Sequence, residues 1–393
     1  MIQPLWAYPV MKNATIDTQL VMRIPIRCEQ SGSTGKVVFK EVQAEPLKLD
    51  DWLELSKSNT LKVEIYGVVA DKPEWDTAHP PVGNRFKANF AVSPDLKNTC
   101  YALVKGGWLP LFYALSESNI IADRNMVSEI QARFSNGVMS PHDRDHDDFM
   151  DYMDDKNCSC TIHTISYALE GNQKELPSKS VMKEQHRAAL KIISKALPHI
   201  KTWPKEDSDL QYVVDLADQL RAYFIEGVKL LTKVAPLLVN SPSRSRRVER
   251  WKKIAEIARS ENVSIHHVAF LACLSASTAN QNFNPAQKLI KPSAYYTEQD
   301  AYNAMYDLFL IMIANVFQTQ SPERKVALVT RDKNLAHFWM GLTFADPKIP
   351  GQQMIGLHEK LLPVSPDEMK ELTAILGEER ITPDWTLPRP PLF

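Results

Sequence analysis

The sequence has almost no net charge, because its 46 Lys and Arg residues nearly balance its 47 Asp and Glu residues and leave a formal charge of -1. A protein that holds nucleic acid through its overall field carries a strong basic excess, so that mode of binding is excluded. Any contact with nucleic acid would depend on local clusters of charge. With 393 residues, 44% of them hydrophobic, the chain has enough material for two or three globular domains.

Cysteines are few and apolar runs are short. The five cysteines are odd in number and scattered, which argues against a disulfide framework and favours a reducing cytoplasm. Cys158 and Cys160 form only a single Cys-x-Cys pair, a weak signal for zinc. No apolar run approaches the ~20 residues needed to span a bilayer, and residues 1–10 lack the basic start of a leader peptide. We therefore expect a cytoplasmic protein without membrane contact.

The common catalytic signatures are also missing. The chain has no nucleophile elbow for a Ser-His-Asp triad and no Gly-x-Gly-x-x-Gly fingerprint for a dinucleotide. The nearest approach to a P-loop ends at Lys36, but Gln30 stands where its first glycine is needed and Val37 replaces the Ser or Thr that holds magnesium. The sequence therefore gives poor support to an ATPase, an oxidoreductase or a serine hydrolase.

Four acidic residues lie inside or at the ends of apolar segments: Asp123, Glu170, Asp307 and Asp332. Burial of one ionised carboxylate costs several kcal/mol unless a positive charge compensates it. Four such residues in one chain indicate that the fold brings them together around a cation. Hard oxygen ligands favour Mg²⁺ or Mn²⁺, and a pair of these ions supports phosphodiester hydrolysis.

The local context sharpens this interpretation for three of the acids. Asp123 follows a short apolar strand at Asn119–Ala122, and Asp332 follows another at Val326–Thr330; both strands lead into helix-forming sequence. In an open parallel sheet, the carboxyl ends of strands share one edge, where ligands bind. Asp307 lies in a long helical run that is apolar on every face from 308 to 314, so its carboxylate has no solvated side.

Each acid also has a simpler interpretation. An Asp that follows a strand is often a turn residue or a helix N-cap, which would explain Asp123 and Asp332 without any ligand. Glu170 could mark only a helix end before Gly171. The alternative for Asp307 is a buried pair with a basic residue or a tyrosine.

The order of these motifs resembles that of the PIN-like domain nucleases, which cleave RNA, or flap DNA in some branches, with divalent metal. The resemblance covers roughly residues 109–344 and is carried by Asp-x-Asn after the first strand, a mid-chain Glu, an Asp in a late helix and Thr-x-Asp after the following strand. It implies that Asp123, Glu170, Asp307 and Asp332 hold the metal. It also implies that Asn125 and Thr330 support them.

The resemblance implies an α/β fold with a PIN-like three-layer core and a central parallel sheet. We expect a β-rich N-terminal domain at 1–107, a catalytic domain at 108–345 with a helical insert at about 178–297, and a C-terminal extension at 346–393. The expected function is metal-dependent hydrolysis of nucleic acid, with RNA favoured over DNA on the resemblance alone. A homo-oligomer or a regulatory partner is left open, and the competing class is a non-catalytic scaffold with the same fold.

Two further clusters bear on partners and chemistry. Arg246, Arg247, Arg250 and Lys253 belong to the one concentrated basic run, and we predict that they bind phosphates, with Trp251 as a stacking surface. The competing interpretation is a solvated helix face. His142, Asp143, His146, Asp147, Asp148 and His163 form the second cluster, and they raise the alternative of a metal phosphohydrolase. Crowding into one polar loop favours a solvated acidic segment instead.

Overall fold

The computed structural model describes residues 22–27, 33–58, 61–92, 100–110, 118–140, 149–154, 158, 160–171, 175–205, 207–240, 242–278, 283–320, 326–345 and 354–376. The polar loop at 141–148, and residues 346–353 and 377–393 of the expected C-terminal extension, lie outside these residues. The protein is a mixed α/β structure.

The strands are β1 (Met22–Arg27), β2 (Thr34–Ala44), β3 (Leu61–Asp71), β4 (Arg85–Val92), β5 (Tyr101–Val104), β6 (Gly107–Pro110), β7 (Asn119–Ala122), β8 (Phe134–Ser135), β9 (Val138–Met139), β10 (Thr161–His163), β11 (Lys201–Trp203), β12 (Val326–Thr330), β13 (Leu342–Ala345) and β14 (Met354–Leu357). The helices are α1 (Leu49–Ser58), α2 (Arg124–Arg133), α3 (Phe149–Asp154), α4 (Ile165–Leu169), α5 (Lys179–Ala196), α6 (Asp207–Val234), α7 (Arg244–Ser260), α8 (Val268–Thr278), α9 (Pro285–Ile290), α10 (Glu298–Gln320), α11 (Lys333–Met340) and α12 (Pro366–Leu376).

The larger sheet has six strands in the order β11-β10-β7-β12-β5-β6. Strands β11, β10, β7 and β12 are parallel, whereas β5 runs antiparallel to β12 and forms a hairpin with β6. After β7 the chain builds β10 and then β11 on one side and returns to add β12 on the other. The strand order therefore reverses between β7 and β12, which is where open α/β sheets bind ligands beyond the carboxyl ends of their strands.

Helices cover both faces of this sheet. Ile120 and Ala122 of β7 pack into one hydrophobic cluster with residues of α2 and α5, whereas Ile121 packs into a second cluster with α6, α8 and α10. This alternation follows from the two-residue period of a strand. Because both faces are covered, the central strands contain almost continuous apolar sequence, and every residue of β12 is buried.

The first four strands form a separate antiparallel sheet in the order β1-β2-β3-β4. Strand β5, which falls within the region 1–107 expected to form the β-rich domain, belongs instead to the larger sheet. Helix α1 lies between the two sheets, and Trp52 makes edge contacts with Tyr101 of β5 and Trp108 of β6. The four-stranded sheet and the larger sheet thus share one continuous hydrophobic core.

The helical insert expected at about 178–297 contains α5, the long α6, α7, α8 and the short α9. Helix α10 runs from Glu298 to Gln320, and its residues from Leu308 to Val316 are buried, as the apolar sequence predicts. The anticipated mid-helix acid, Asp307, therefore lies directly before a fully buried segment.

Candidate functional site

Asp123 and Asp332 follow the two neighbouring parallel strands at the point where the strand order reverses. Ala122 pairs with Val329, and the Asp123 N–H donates to the Val329 carbonyl over 3.2 Å. Asp123 Oδ1 accepts from the Met126 N–H at 2.7 Å, so it caps α2. Asp332 Oδ1 accepts from the N–H groups of Asn334 and Leu335 at 2.7 and 3.2 Å and caps α11.

Both aspartates therefore have the capping role that the simpler interpretation predicts. Capping uses Oδ1 of each carboxylate for the hydrogen bonds given above. An ionised carboxylate has about four lone-pair sites, so a cap does not exhaust its capacity to bind a cation. Asp123 and Asp332 can therefore cap their helices and still bind a cation.

Thr330, the last residue of β12, ties the two strand ends together. Its hydroxyl accepts from the Asp332 N–H at 2.9 Å and donates to the Asp123 carboxylate. Thr330 is fully buried, whereas Asn125, the other supporting residue implied by the resemblance, is exposed on α2. The structure thus connects Thr330 to both strand-end acids.

We expect Thr330→Val to destabilise the protein by about 1–3 kcal/mol at pH 8, because a buried carboxylate loses a donor and the Asp332 N–H loses an acceptor. Thr330→Ser keeps the hydroxyl and is the matched control. Urea unfolding of the three proteins measures the difference. Equal stability of the Val and Ser variants would contradict the bridging role.

Burial and neighbouring acids raise the pKa values of two of the carboxyls. Burial is the main cause that raises the pKa of Asp123 to about 6; Asp332 adds to the rise, and hydrogen bonds from Met126, Thr330 and the Arg331 N–H oppose it. For Asp307, burial again comes first and raises its pKa to about 7. Asp332, Asp123 and Glu170 add repulsion there. The four predicted acids thus act on one another.

Lys291 opposes this rise at Asp307, because its positive charge lowers the pKa of the carboxyl. It follows helix α9 in a left-handed conformation, with a φ of 51°. The alternative that pairs Asp307 with a basic residue is therefore only partly satisfied. Burial and the three acids raise the pKa of Asp307 by more than Lys291 lowers it.

Glu170 ends α4, as its simpler interpretation expects, and its carboxylate faces an arginine. Glu170 Oε1 lies 2.8 Å from Arg124 Nη1, while Oε2 is buried and accepts no hydrogen bond from the described residues. The Gly171 N–H donates to Tyr302 Oη at 2.6 Å, and a Cβ at this glycine would collide with the Glu175 carbonyl oxygen. The backbone that carries Glu170 is therefore fixed.

Tyr302 and Tyr306 of α10 were not identified from the sequence. Tyr306 lies one residue before Asp307, and its hydroxyl donates to the Ser166 carbonyl. The two rings stack at 6.3 Å, one helical turn apart. Burial raises the pKa of Tyr306 well above its ordinary value, with Glu170 the next cause. The only signal for them in the sequence is that Tyr302 and Tyr306 are four residues apart, directly before Asp307.

Within the described parts of the chain, no group of three or more His, Cys, Asp and Glu side chains is close enough to hold a metal ion. The four acids form an electrostatic group rather than a closed set of ligands, so the metal site stays a prediction. The donor chemistry fits a hard cation, since all four residues offer carboxylate oxygens and Glu170 Oε2 is buried without a donor. A divalent ion here would also relieve the repulsion that raises the pKa of Asp307.

The predicted phosphate-binding face on α7 is largely engaged within the protein. Arg247 Nη1 lies 3.1 Å from Glu368 Oε1 of α12, Arg250 Nη1 donates to the Asn240 carbonyl at 2.5 Å, and Lys253 Nζ lies 3.6 Å from Glu249 Oε1. These contacts leave Arg246 as the exposed residue of the set for which the described contacts show no partner.

The prediction of Trp251 as a stacking surface is wrong. Trp251 is fully buried, and its Nε1 donates to Ser277 Oγ at 3.1 Å. The heptad-like spacing of the basic residues places Trp251 on the opposite, core-facing side of the same helix. The tryptophan therefore holds α7 against α8 instead of facing solvent.

We expect Arg247→Ala to destabilise the protein by about 1–3 kcal/mol, because the largely buried Glu368 carboxylate loses its guanidinium partner. Arg246→Ala should change stability by less than about 0.5 kcal/mol, as exposed substitutions usually do. Urea unfolding at neutral pH compares the two. Equal effects would show that the Arg247–Glu368 pair contributes nothing beyond an ordinary surface contact.

The histidine–aspartate cluster is mostly outside the described residues, since His142, Asp143, His146, Asp147 and Asp148 fall in 141–148. His163 is described and lies buried on β10, where its Nε2 is 2.9 Å from Asn119 Oδ1 of β7. This contact gives His163 a structural explanation without a metal. Cys158 and Cys160 are not joined by a disulfide, and their sulfur atoms lie 3.6 Å apart.

No protein-family model, curated protein or solved structure matches this chain. Among the described residues, no helix is both long enough and apolar enough to cross a membrane.

Proposed function

We propose that this protein is a metal-dependent nuclease with a PIN-like core, and that Asp123, Asp307, Asp332 and Glu170 hold Mg²⁺ or Mn²⁺ during phosphodiester hydrolysis. The observation that carries the proposal is the position of Asp123 and Asp332 directly after two adjacent parallel strands. Asp307, a half-buried acid of α10, lies near enough for their charges to raise its pKa. Such an edge, where strand order reverses, is the usual ligand site of an open α/β sheet.

The chemistry follows from the residue types. Divalent ions bound by carboxylates activate an attacking water and stabilise the leaving oxygen in an in-line displacement. In this site Asp123 and Asp332 would supply oxygens from strand ends that Thr330 connects, and Asp307 would supply one from helix α10. Glu170 would contribute its buried Oε2. RNA is the proposed substrate, on the family resemblance.

A specific observation favours the competing class, a non-catalytic binding or scaffold protein. Asp123 and Asp332 already cap helices, and Glu170 is paired with Arg124. An edge of the sheet whose acids serve only structure would contain the same contacts. The two classes differ in their response to metal, because structural caps require none.

The test is a cleavage assay with labelled single-stranded RNA, structured RNA and single-stranded DNA in Mg²⁺, in Mn²⁺ and in EDTA. We expect cleavage of RNA with either ion and none in EDTA. Binding without cleavage of any substrate would support the scaffold. Cleavage that continues undiminished in EDTA would contradict a metal mechanism.

A further inference from the structure

Arg124 is the first residue of α2 and follows directly after Asp123, so the fold places a cation beside the acidic edge. Its Nη1 lies 2.8 Å from Glu170 Oε1, and its guanidinium carbon lies 5.9 Å from the centre of the Tyr167 ring. The side chain nevertheless keeps 51% of its surface exposed. Glu170 engages one of the five N–H donors that a guanidinium offers, so donors remain for a ligand from solvent.

The other arginine at this edge is differently placed. Arg331, between Thr330 and Asp332, points its Nη1 at Glu129 Oε2 over 2.7 Å, and its side chain is 31% exposed. Arg331 is thus turned back onto α2, whereas Arg124 is turned toward Glu170 and solvent. Because guanidinium groups match the geometry of phosphate oxygens, Arg124 is the better placed of the two to contact a phosphodiester.

We propose that Arg124 binds a phosphate of a single-stranded nucleic acid at the acidic edge, and that Glu170 competes with the phosphate for this guanidinium. The inference deepens the proposed nuclease function and rests on it. It moves the expected phosphate contact from the α7 face, where Arg247 and Arg250 have partners in the protein, to the rim of the candidate site. Tyr167 holds the guanidinium from one side.

The proposal predicts opposite effects for the two members of one ion pair. Arg124→Gln removes the phosphate contact and should weaken binding about 10-fold, with the slope of log affinity against log salt smaller by about 1. Glu170→Gln removes the competing carboxylate and one negative charge, so binding should tighten. If the pair were merely structural, the two variants would change binding in the same direction.

The experiment measures fluorescence anisotropy of a labelled oligouridine and of its DNA counterpart in EDTA over a range of salt concentrations. Arg124→Lys retains the charge without the planar fork and should recover part of the affinity. Lys370→Gln, whose side chain on α12 is 82% exposed, is the control and should leave the affinity and the salt slope nearly unchanged. Arg246→Gln tests the competing phosphate contact on α7. Circular dichroism confirms that each variant is folded.

The outcomes separate this inference from the proposed function. If the wild type binds and cleaves RNA but Arg124→Gln keeps the wild-type affinity and slope, the inference is overturned and the nuclease stands. If the wild type binds without cleaving and the two variants act in opposite directions, the Arg124 contact holds and the nuclease fails. If only Arg246→Gln loses binding, the phosphate contact lies on α7 and the inference about Arg124 is overturned. If the wild type binds neither oligonucleotide, both proposals are overturned.

Discussion

Asp332→Asn should lower metal-dependent cleavage of RNA by more than about 100-fold while leaving the fold intact. Substitution of residues that only support metal ligands costs about 10- to 100-fold, so loss of a ligand charge should cost more. Asn keeps a side-chain oxygen that can cap α11, which separates the cap from the charge. Asp123→Asn should behave in the same way at α2. Initial cleavage rates at saturating Mg²⁺ provide the measurement.

The matched control is Asp367→Asn in the first turn of α12, where the Asp367 side chain is 93% exposed. This variant loses the same charge outside the candidate site and should cleave at the wild-type rate. Retained cleavage in both Asp332→Asn and Asp123→Asn would remove the strand-end acids from the mechanism. If cleavage instead disappeared with His142→Ala and His146→Ala, the phosphohydrolase interpretation would replace the proposal.

Asp307→Asn should make the protein more stable at pH 8 when no divalent ion is present. The pKa of Asp307 is about 7 in the fold and 3.8 without the fold, so the native state binds the proton more tightly than the unfolded state. For such an acid, stability falls as pH rises from about 4 to 7 and stays low above that window. Asparagine carries no charge to bury and removes this cost, which is on the order of 2–4 kcal/mol.

Urea unfolding in EDTA at pH 4 and at pH 8 tests this, and the two proteins should differ much more at pH 8. Buried His267, whose pKa is lowered to about 4, has an opposite pH dependence, but it is common to both proteins and cancels in their difference. Asp300→Asn in the same helix is the control, because hydrogen bonds from Thr297 lower the pKa of Asp300 and its loss should bring no gain. A gain in Asp300→Asn equal to that in Asp307→Asn would contradict the account.

Magnesium should reverse the order of stability. Binding to the native state alone stabilises it by about 2.7 kcal/mol when the ion is at 100 times its Kd. The wild type should gain this stability, and Asp307→Asn should lose most of the response. If neither Mg²⁺ nor Mn²⁺ changes the unfolding temperature of the wild type, the scaffold interpretation is favoured.

The elements that carry the site follow from local sequence. Strands Asn119–Ala122 and Val326–Thr330 have the bounds that their apolar runs predict, because strands covered on both faces need continuous apolar sequence. Asp307 lies beside the other acids for a similar reason, since a helix that is apolar all round enters the core. These features depend on the periodicity of short segments, which the sequence displays directly.

The contacts that sequence could not supply are pairings between distant segments. Glu170 meets Arg124 across 46 residues and Arg247 meets Glu368 across 121. A charged residue in a helix or loop carries no local signal of which distant partner it will meet. The same limit explains the wrong prediction for Trp251. Its basic neighbours in sequence suggested an exposed side chain, but its own face of the helix packs into the core.

The most direct test of the central claim is anomalous diffraction from crystals of the wild type grown with Mn²⁺. We predict one or two manganese peaks at about 2.0–2.2 Å from carboxylate oxygens of Asp123, Asp307 and Asp332, with Glu170 close by. Occupancy should be lost in crystals of Asp307→Asn. An edge without a peak at saturating Mn²⁺, or manganese bound only elsewhere, would contradict the claim that these acids form a metal site.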